Sequence, residues 1–335
     1  MNVYVQTNEA RENGVLAFRR GDDGALTPLG AYATGGAGDG VPHLTSQGSV
    51  VLSGDGSRLF VTSAGSGSVS VFAVAEGGLE LRAAVPTGAA PKSVAEHEGL
   101  VYVLNTGMPS LAGFRVTDGG LEPLAGSERA LAEGSDPAQV GFAPDGSKLV
   151  VTDRGTDSIA FFPVGGDGRL GEPHVVASAG PTPYGFAFVG GETLVVTEAF
   201  RAEKGAAAAS SYALANGSAA AVSRSVGNGR SEICWAVATA DGRFAYATNF
   251  ADGAVSRYAV GADGRLTLED ASAGVAVEGA AGLRDEDLSR DGRFLYAIDA
   301  DARRIFGWSV GADGELRLVG SWDGIPATVA GLAAS

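Results

Sequence analysis

A single cysteine, Cys234, excludes an internal disulfide, and three histidines without paired spacing, His43, His97 and His174, exclude an imidazole-rich metal centre. No run of 18 apolar residues occurs, so no membrane helix is expected. Basic residues are few beside acidic ones, 24 against 39, and the formal net charge is −15. A surface of that sign repels phosphate backbones, which sets nucleic acid aside as a partner; any anionic ligand needs a local positive patch. No G-x-S-x-G, H-E-x-x-H or phosphate loop is present. The N-terminus lacks a basic-then-apolar leader and enters a strand at Asn2–Gln6. The expectation is a monomeric, cytoplasmic protein, or a mature form from which a leader has been removed.

What is abundant is glycine, 52 residues, set between short apolar runs. The stretch Arg58–Leu81 shows the unit. Leu59-Phe60-Val61 is a β run, Ser63–Ser68 a turn, and Val69, Val71 and Val74 alternate with other residues before Gly77-Gly78 turns the chain into Leu79 and Leu81. Alternation at period two broken by glycine predicts an antiparallel meander. Its first run recurs seven times, centred on Tyr4, Phe60, Tyr102, Val150, Val195, Tyr246 and Tyr296, at intervals of 42 to 56 residues. Seven copies of about four strands each predict an all-β, seven-bladed β-propeller occupying residues 1–335 as one domain.

The N-terminal copy lacks a first strand. Pro326–Ala330 resembles Pro137–Gly141 and is expected to supply it, pairing with Asn2–Gln6 and closing the ring, which removes two open sheet edges. Asp-Gly pairs such as Asp145-Gly146, Asp167-Gly168 and Asp313-Gly314 supply the positive φ that tight hairpins need. They lack the oxygen ligands of a calcium loop, so no metal and no cofactor is expected.

Antiparallel geometry puts the starts of the inner strands and the ends of the second strands on one face, around the channel mouth. Aligned on their turns, the inner strands give one ring of Gly48, Lys92, Ala138, Tyr184, Cys234, Arg284 and Ala327, and a second of Ser49, Ser93, Gln139, Gly185, Trp235, Asp285 and Thr328. Lys92 and Arg284 suit a carboxylate or phosphate, since a guanidinium grips oxyanions bidentately. The alternative is that they offset neighbouring acids, of which Asp285-Glu286-Asp287 offers three. Tyr184 and Trp235 offer a hydroxyl and an aromatic platform, Gln139 and Asp285 polar contacts, and His43 lies in the long Gly-rich approach Gly30–Gln47. Glu198 ends the fifth second strand where other blades have mostly Asn or Asp. Its greater length is expected to reach the mouth as a general base.

The repeated hairpin P-D-G-x-x-L-x-V-x-(N/D), as in Ala143–Asp153, resembles the seven-bladed lactonase family, which includes 6-phosphogluconolactonase and carboxymuconate lactonizing enzymes. The resemblance covers essentially the whole chain. It is greater still to uncharacterised bacterial members sharing segments like Gly180–Phe188 and Ser289–Tyr296. It implies that Glu198 matches the family's blade-five acid and Arg284 its blade-seven arginine, whereas the family's histidine falls on Ala138 and its other arginine on Tyr184. The implied activity is lactone hydrolysis, lactonization or a related ring isomerisation, with Glu198 and Arg284 catalytic and a small-molecule, carboxylate-bearing substrate. The alternatives are a non-catalytic platform for a ligand or protein, and a biosynthetic cyclase or isomerase acting on a neutral or aromatic substrate.

Overall fold

In a computed structural model, which describes residues 1–41, 46–215 and 218–335, seven antiparallel sheets form a closed ring. Blades 2 to 7 each follow the chain from inner to outer strand. Their inner strands are Val50–Leu52, Pro91–His97, Pro137–Phe142, Pro183–Val189, Ile233–Ala238 and Leu283–Leu288. The seven β runs picked out by periodicity are the second strands, from Asn2–Gln6 to Phe294–Asp299. The helical content of the described residues is one short 3-10 turn, Phe200–Ala202.

Blade 1 combines both chain ends, as expected, but through a different segment. Its inner strand is Leu332–Ala334, pairing Leu332, Ala333 and Ala334 with Val5, Tyr4 and Val3. Pro326–Ala330 instead forms a turn, with the Val329 N–H donating to the Pro326 carbonyl at 3.2 Å. Ile325 and Val329 are buried there against Ile298 and Ile305. Burying two branched residues between blades 7 and 1 outweighs their β propensity. The ring position in blade 1 is therefore Ala330, whose N–H donates to Gln6, and not Ala327. Thr328 is half-buried and donates its hydroxyl to Glu9.

Apolar faces of adjacent blades pack together, and a repeated latch fixes their spacing. Tyr102, Tyr246 and Tyr296, each in a second strand, donate their hydroxyls to the carbonyls of Gly168, Gly314 and Gly24 in the next blade, at 2.7–2.9 Å. Those glycines sit in Asp-Gly turns with φ of 77–86°. They also have no room for a side chain: a Cβ on Gly24 would lie 2.4 Å from the Phe294 ring. The turn chemistry read from the sequence thus also serves interblade packing.

Candidate functional site

The inner strands of five blades share a defect at their first turn of pairing. Register shifts occur between Pro91 and Ser93, Pro137 and Gln139, Pro183 and Phe186, Ile233 and Ala236, and Leu283 and Glu286. A bulge re-aims the residue it releases from the ladder. Lys92, Ala138, Tyr184, Cys234 and Arg284 therefore occupy one level of the ring, in the register the turns predicted. Ala138, Tyr184, Cys234 and Trp235 form a buried cluster with Phe250 packed against it. The Tyr184 and Trp235 rings lie 5.5 Å apart, tilted by 60°. The Arg284 guanidinium stands 5.5 Å over Phe250, and that of Arg154 stands 5.1 Å over Tyr184.

Arg284 is 2% exposed. Its contacts are weak: Nη1 reaches the Val329 carbonyl at 3.5 Å, Nη2 stands 3.9 Å from Asp301, and Nε has no partner. Burial pulls its pKa below the usual arginine value, with Asp301 opposing, but a guanidinium stays protonated. Tyr184 is as deeply buried and its hydroxyl has no partner. Burial first, and then Cys234, push its pKa well up, so it is a neutral donor. Cys234 is likewise pushed up by burial and points its thiol at the Glu232 carbonyl, an inert arrangement.

Two carboxylates that the sequence did not single out belong to this picture. Asp299 ends the second strand of blade 7, fully buried. Its Oδ1 accepts the Ala302 N–H at 2.8 Å while Oδ2 has no partner. Burial raises its pKa, and Arg284 is among the charges that lower it. Glu286, one residue beyond Asp285, is buried with both oxygens unpartnered.

The other expected residues have mostly local roles. Lys92 Nζ stands 3.7 Å from Asp39, so it offsets a neighbouring acid. Gln139 exchanges two hydrogen bonds with the Phe186 backbone of the next blade, at 2.6 and 3.2 Å. Asp285 accepts the Leu332 N–H at 3.2 Å and helps join blade 7 to blade 1. Trp235 donates its indole N–H to the Ser46 carbonyl at 2.9 Å. His43 lies outside the described residues.

Glu198 is not in the mouth. It is 0% exposed. Oε1 accepts the Gly180 N–H at 2.8 Å and the Ser210 hydroxyl at 2.6 Å, with Ser178 at 3.5 Å, and Oε2 accepts the Ser225 hydroxyl at 2.7 Å. Strand alternation explains this: Thr197 donates to the Cys234 carbonyl of blade 6, so the next side chain turns the other way, into its own blade. A carboxylate with its lone pairs occupied in this way braces blade 5.

A strap closes the channel at the level of the ring. Gln47 donates its backbone N–H to Ala138 at 3.1 Å, Ser46 its hydroxyl to the Lys92 carbonyl at 2.7 Å, and Gly48 accepts the Val94 N–H at 2.8 Å. The Gln47 side chain reaches across to blade 6. Below the strap a cavity of about 480 Å³ follows the inner strands toward the opposite face.

The comparisons agree with this architecture. Residues 49–200 match the family model described as lactonase, 7-bladed beta-propeller. None of the curated proteins compared matches the chain. Similar solved structures include a protein from Lactobacillus plantarum, 17% identical with a TM-score of 0.78, covering 99% of this chain and 98% of that one. A putative 6-phosphogluconolactonase from Bacteroides uniformis is 20% identical, with a TM-score of 0.77 and 98% of both chains covered. A periplasmic gluconolactonase from Pseudomonas aeruginosa is 20% identical, with a TM-score of 0.76, covering 99% of this chain and 98% of that one. At such identities the likeness to these structures is one of fold. No helix among the described residues is long and apolar enough to cross a membrane. The chain is a seven-bladed β-propeller whose residues 49–200 match the lactonase propeller family, as the repeated hairpins implied.

Proposed function

We propose a lactonase-like small-molecule enzyme whose chemistry takes place at the bulge ring. One observation carries this reading: a buried guanidinium with only weak partners, Arg284, shares the ring with a buried, unpartnered hydroxyl, Tyr184. Both are donors held ready for an oxygen that gains negative charge, and in a water-poor site such donors are strongest. Water adds to the lactone carbonyl and gives its proton to Asp299 Oδ2. Arg284 and Tyr184 hold the resulting oxyanion. The ring C–O bond then breaks, and the leaving alkoxide takes the proton back from Asp299, giving a hydroxy acid. Asp299 is suited to this because burial raises its pKa toward the working range of a general base. A carboxylate on the substrate would compete with Asp301 for Arg284. Glu198 positions blade 5 and touches no substrate.

The strap of Ser46 and Gln47 is hydrogen-bonded across the ring beside these groups. That closure favours a second reading, in which the ring is sealed core and the protein is a binding platform. Turnover of a panel of lactones by wild type, Arg284→Ala, Tyr184→Phe and Asp299→Asn separates the two. The enzyme reading expects ring opening that falls in all three variants. The platform reading expects none from the wild type.

A further inference from the structure

Blade 7 departs from the other six just below the ring. The inner-strand residues opposite Val5, Val61, Val103, Val151, Val196 and Ala247 are Leu332, Val50, Val94, Val140, Phe186 and Ala236, all apolar. The corresponding residue opposite Ala297 is Glu286. It is 2% exposed, and neither carboxylate oxygen has a well-formed hydrogen bond. Asp285 and Asp287 flank it, their Oδ2 atoms accepting the N–H groups of Leu332 at 3.2 Å and Ala334 at 2.9 Å. All three acids line the 480 Å³ cavity of the channel, opposite the apolar residues Val94, Val140 and Phe186.

No lining cation balances Asp285 or Glu286 at depth, and Arg290 offsets Asp287 alone. Of the other charged or titratable lining residues, Glu96 accepts the N–H groups of Gly54 and Gly99, and His97 packs on Phe142. Arg290, the lining cation, is engaged by the carbonyls of Ser53 and Gly54. Burial, with Asp285 adding to it, pushes the Glu286 pKa well up, and the Thr248 N–H is a partial offset. Burial likewise drives Asp285 up, and Asp287 to about 7. A buried carboxylate without a counter-charge is destabilising, and six blades show that an apolar residue fills this position.

We propose that the channel below the strap is a binding site for a protonated aliphatic amine, with Glu286 as its counter-charge and the negative field of Asp285 and Asp287 adding to it. The ammonium supplies the donors that Glu286 lacks, and the aliphatic body lies against the valines and Phe186. A metal ion fits less well. Consecutive side chains on a strand alternate faces and do not converge, and no group of three Asp, Glu, His or Cys among the described residues is arranged to hold one.

The test is calorimetric titration of the full chain with 1,4-diaminobutane at pH 6 and pH 8, with 1,4-butanediol and manganese chloride as controls. The proposal expects the diamine to bind and the diol not to bind. Affinity rises with pH, and the heat depends on the buffer because Glu286 releases a proton to the solvent. Glu286→Gln weakens binding by about tenfold or more, and Asp287→Asn weakens it less. No heat with the wild type, equal affinity for the diol, or undiminished binding by both variants overturns it. So does manganese binding that Glu286→Gln abolishes, which would make this a metal site. Arg284 and Tyr184 do not line this cavity, and the readout is binding rather than turnover, so a negative result leaves the reading of the ring untouched.

Discussion

The Gln47 side-chain amide and the backbone of Ala236, 189 residues apart, exchange two hydrogen bonds: Nε2 donates to the Ala236 carbonyl at 2.8 Å and Oε1 accepts its N–H at 3.0 Å. This pair ties blade 2 to blade 6 across the channel rather than around it. It lies beside Trp235 and Cys234, and Gly185 has no room for a Cβ because Gln47 Oε1 would be 2.2 Å away. Gln47→Ala removes both bonds at a cost of about 1–3 kcal/mol. The loosened strap should expose the Cys234 thiol, measured as alkylation rate under native conditions. We expect an increase of about tenfold or more, the mark of a local opening made easier. An unchanged rate would show that the strap is held by other means.

Glu198 is predicted to act on stability rather than on chemistry. Gly180→Ala places a Cβ 2.4 Å from Glu198 Oε2 and 2.7 Å from the Ser225 hydroxyl. The expected loss is about 1–3 kcal/mol in denaturant unfolding, the usual range for overpacking. Glu198→Ala strands the Gly180 N–H and two serine hydroxyls and should lower stability by a similar or larger amount. Lactone kcat that collapses in Glu198→Gln, in protein of unaltered stability, would return this residue to the chemistry.

Three acids of the blade 7 inner strand, Asp285 and Glu286 buried and Asp287 half-buried, make stability fall as pH rises. Asp285, Glu286 and Asp287 have pKa values raised by burial, Asp287 to about 7. The folded state thus binds more protons than the unfolded chain between about pH 4 and 7, and stability declines across that window. For Asp287 alone this is at most about 4 kcal/mol. At the acid end the sign reverses. Asp55, held at about 2 chiefly by the Ser53 hydroxyl and then by Ser57, contributes stability above pH 4 that is lost as pH falls through 2. Thermal melts should therefore give the highest Tm near pH 4–5, and Asp287→Asn should flatten the decline above it. A wild-type Tm that climbs from pH 5 to pH 8 would refute this.

The blade count and the ring register were legible because both depend on local chemistry: proline opening the inner strands in blades 3 to 5, and Asp-Gly closing the hairpins. That is why Lys92, Tyr184 and Arg284 could be placed on one level from positions nearly 200 residues apart. Blade 1 was misplaced because Pro326–Ala330 imitates an inner strand while Ile325 and Val329 are drawn into the core, and Leu332–Ala334, ending at the chain terminus, has no turn to mark it. The direction of Glu198 was not legible, since a terminal strand residue can face either side until its neighbour is fixed, here by the bond from Thr197 to Cys234. Asp299 is one of the Asn or Asp residues that end the second strands, and only half of it serves the turn: Oδ1 caps Ala302 while Oδ2 is left over. Glu286 did leave a trace, a charge in a repeat position that is apolar in every other blade.

The ring's role is tested most directly by kcat/KM for lactone opening in wild type and Arg284→Ala, with Tyr184→Phe measured alongside. Loss of one oriented oxyanion donor is worth roughly 10²–10³ in rate, so Arg284→Ala should fall by at least about 10² and Tyr184→Phe by a smaller factor. Turnover that survives both substitutions at the wild-type rate would contradict the assignment of the chemistry to this ring.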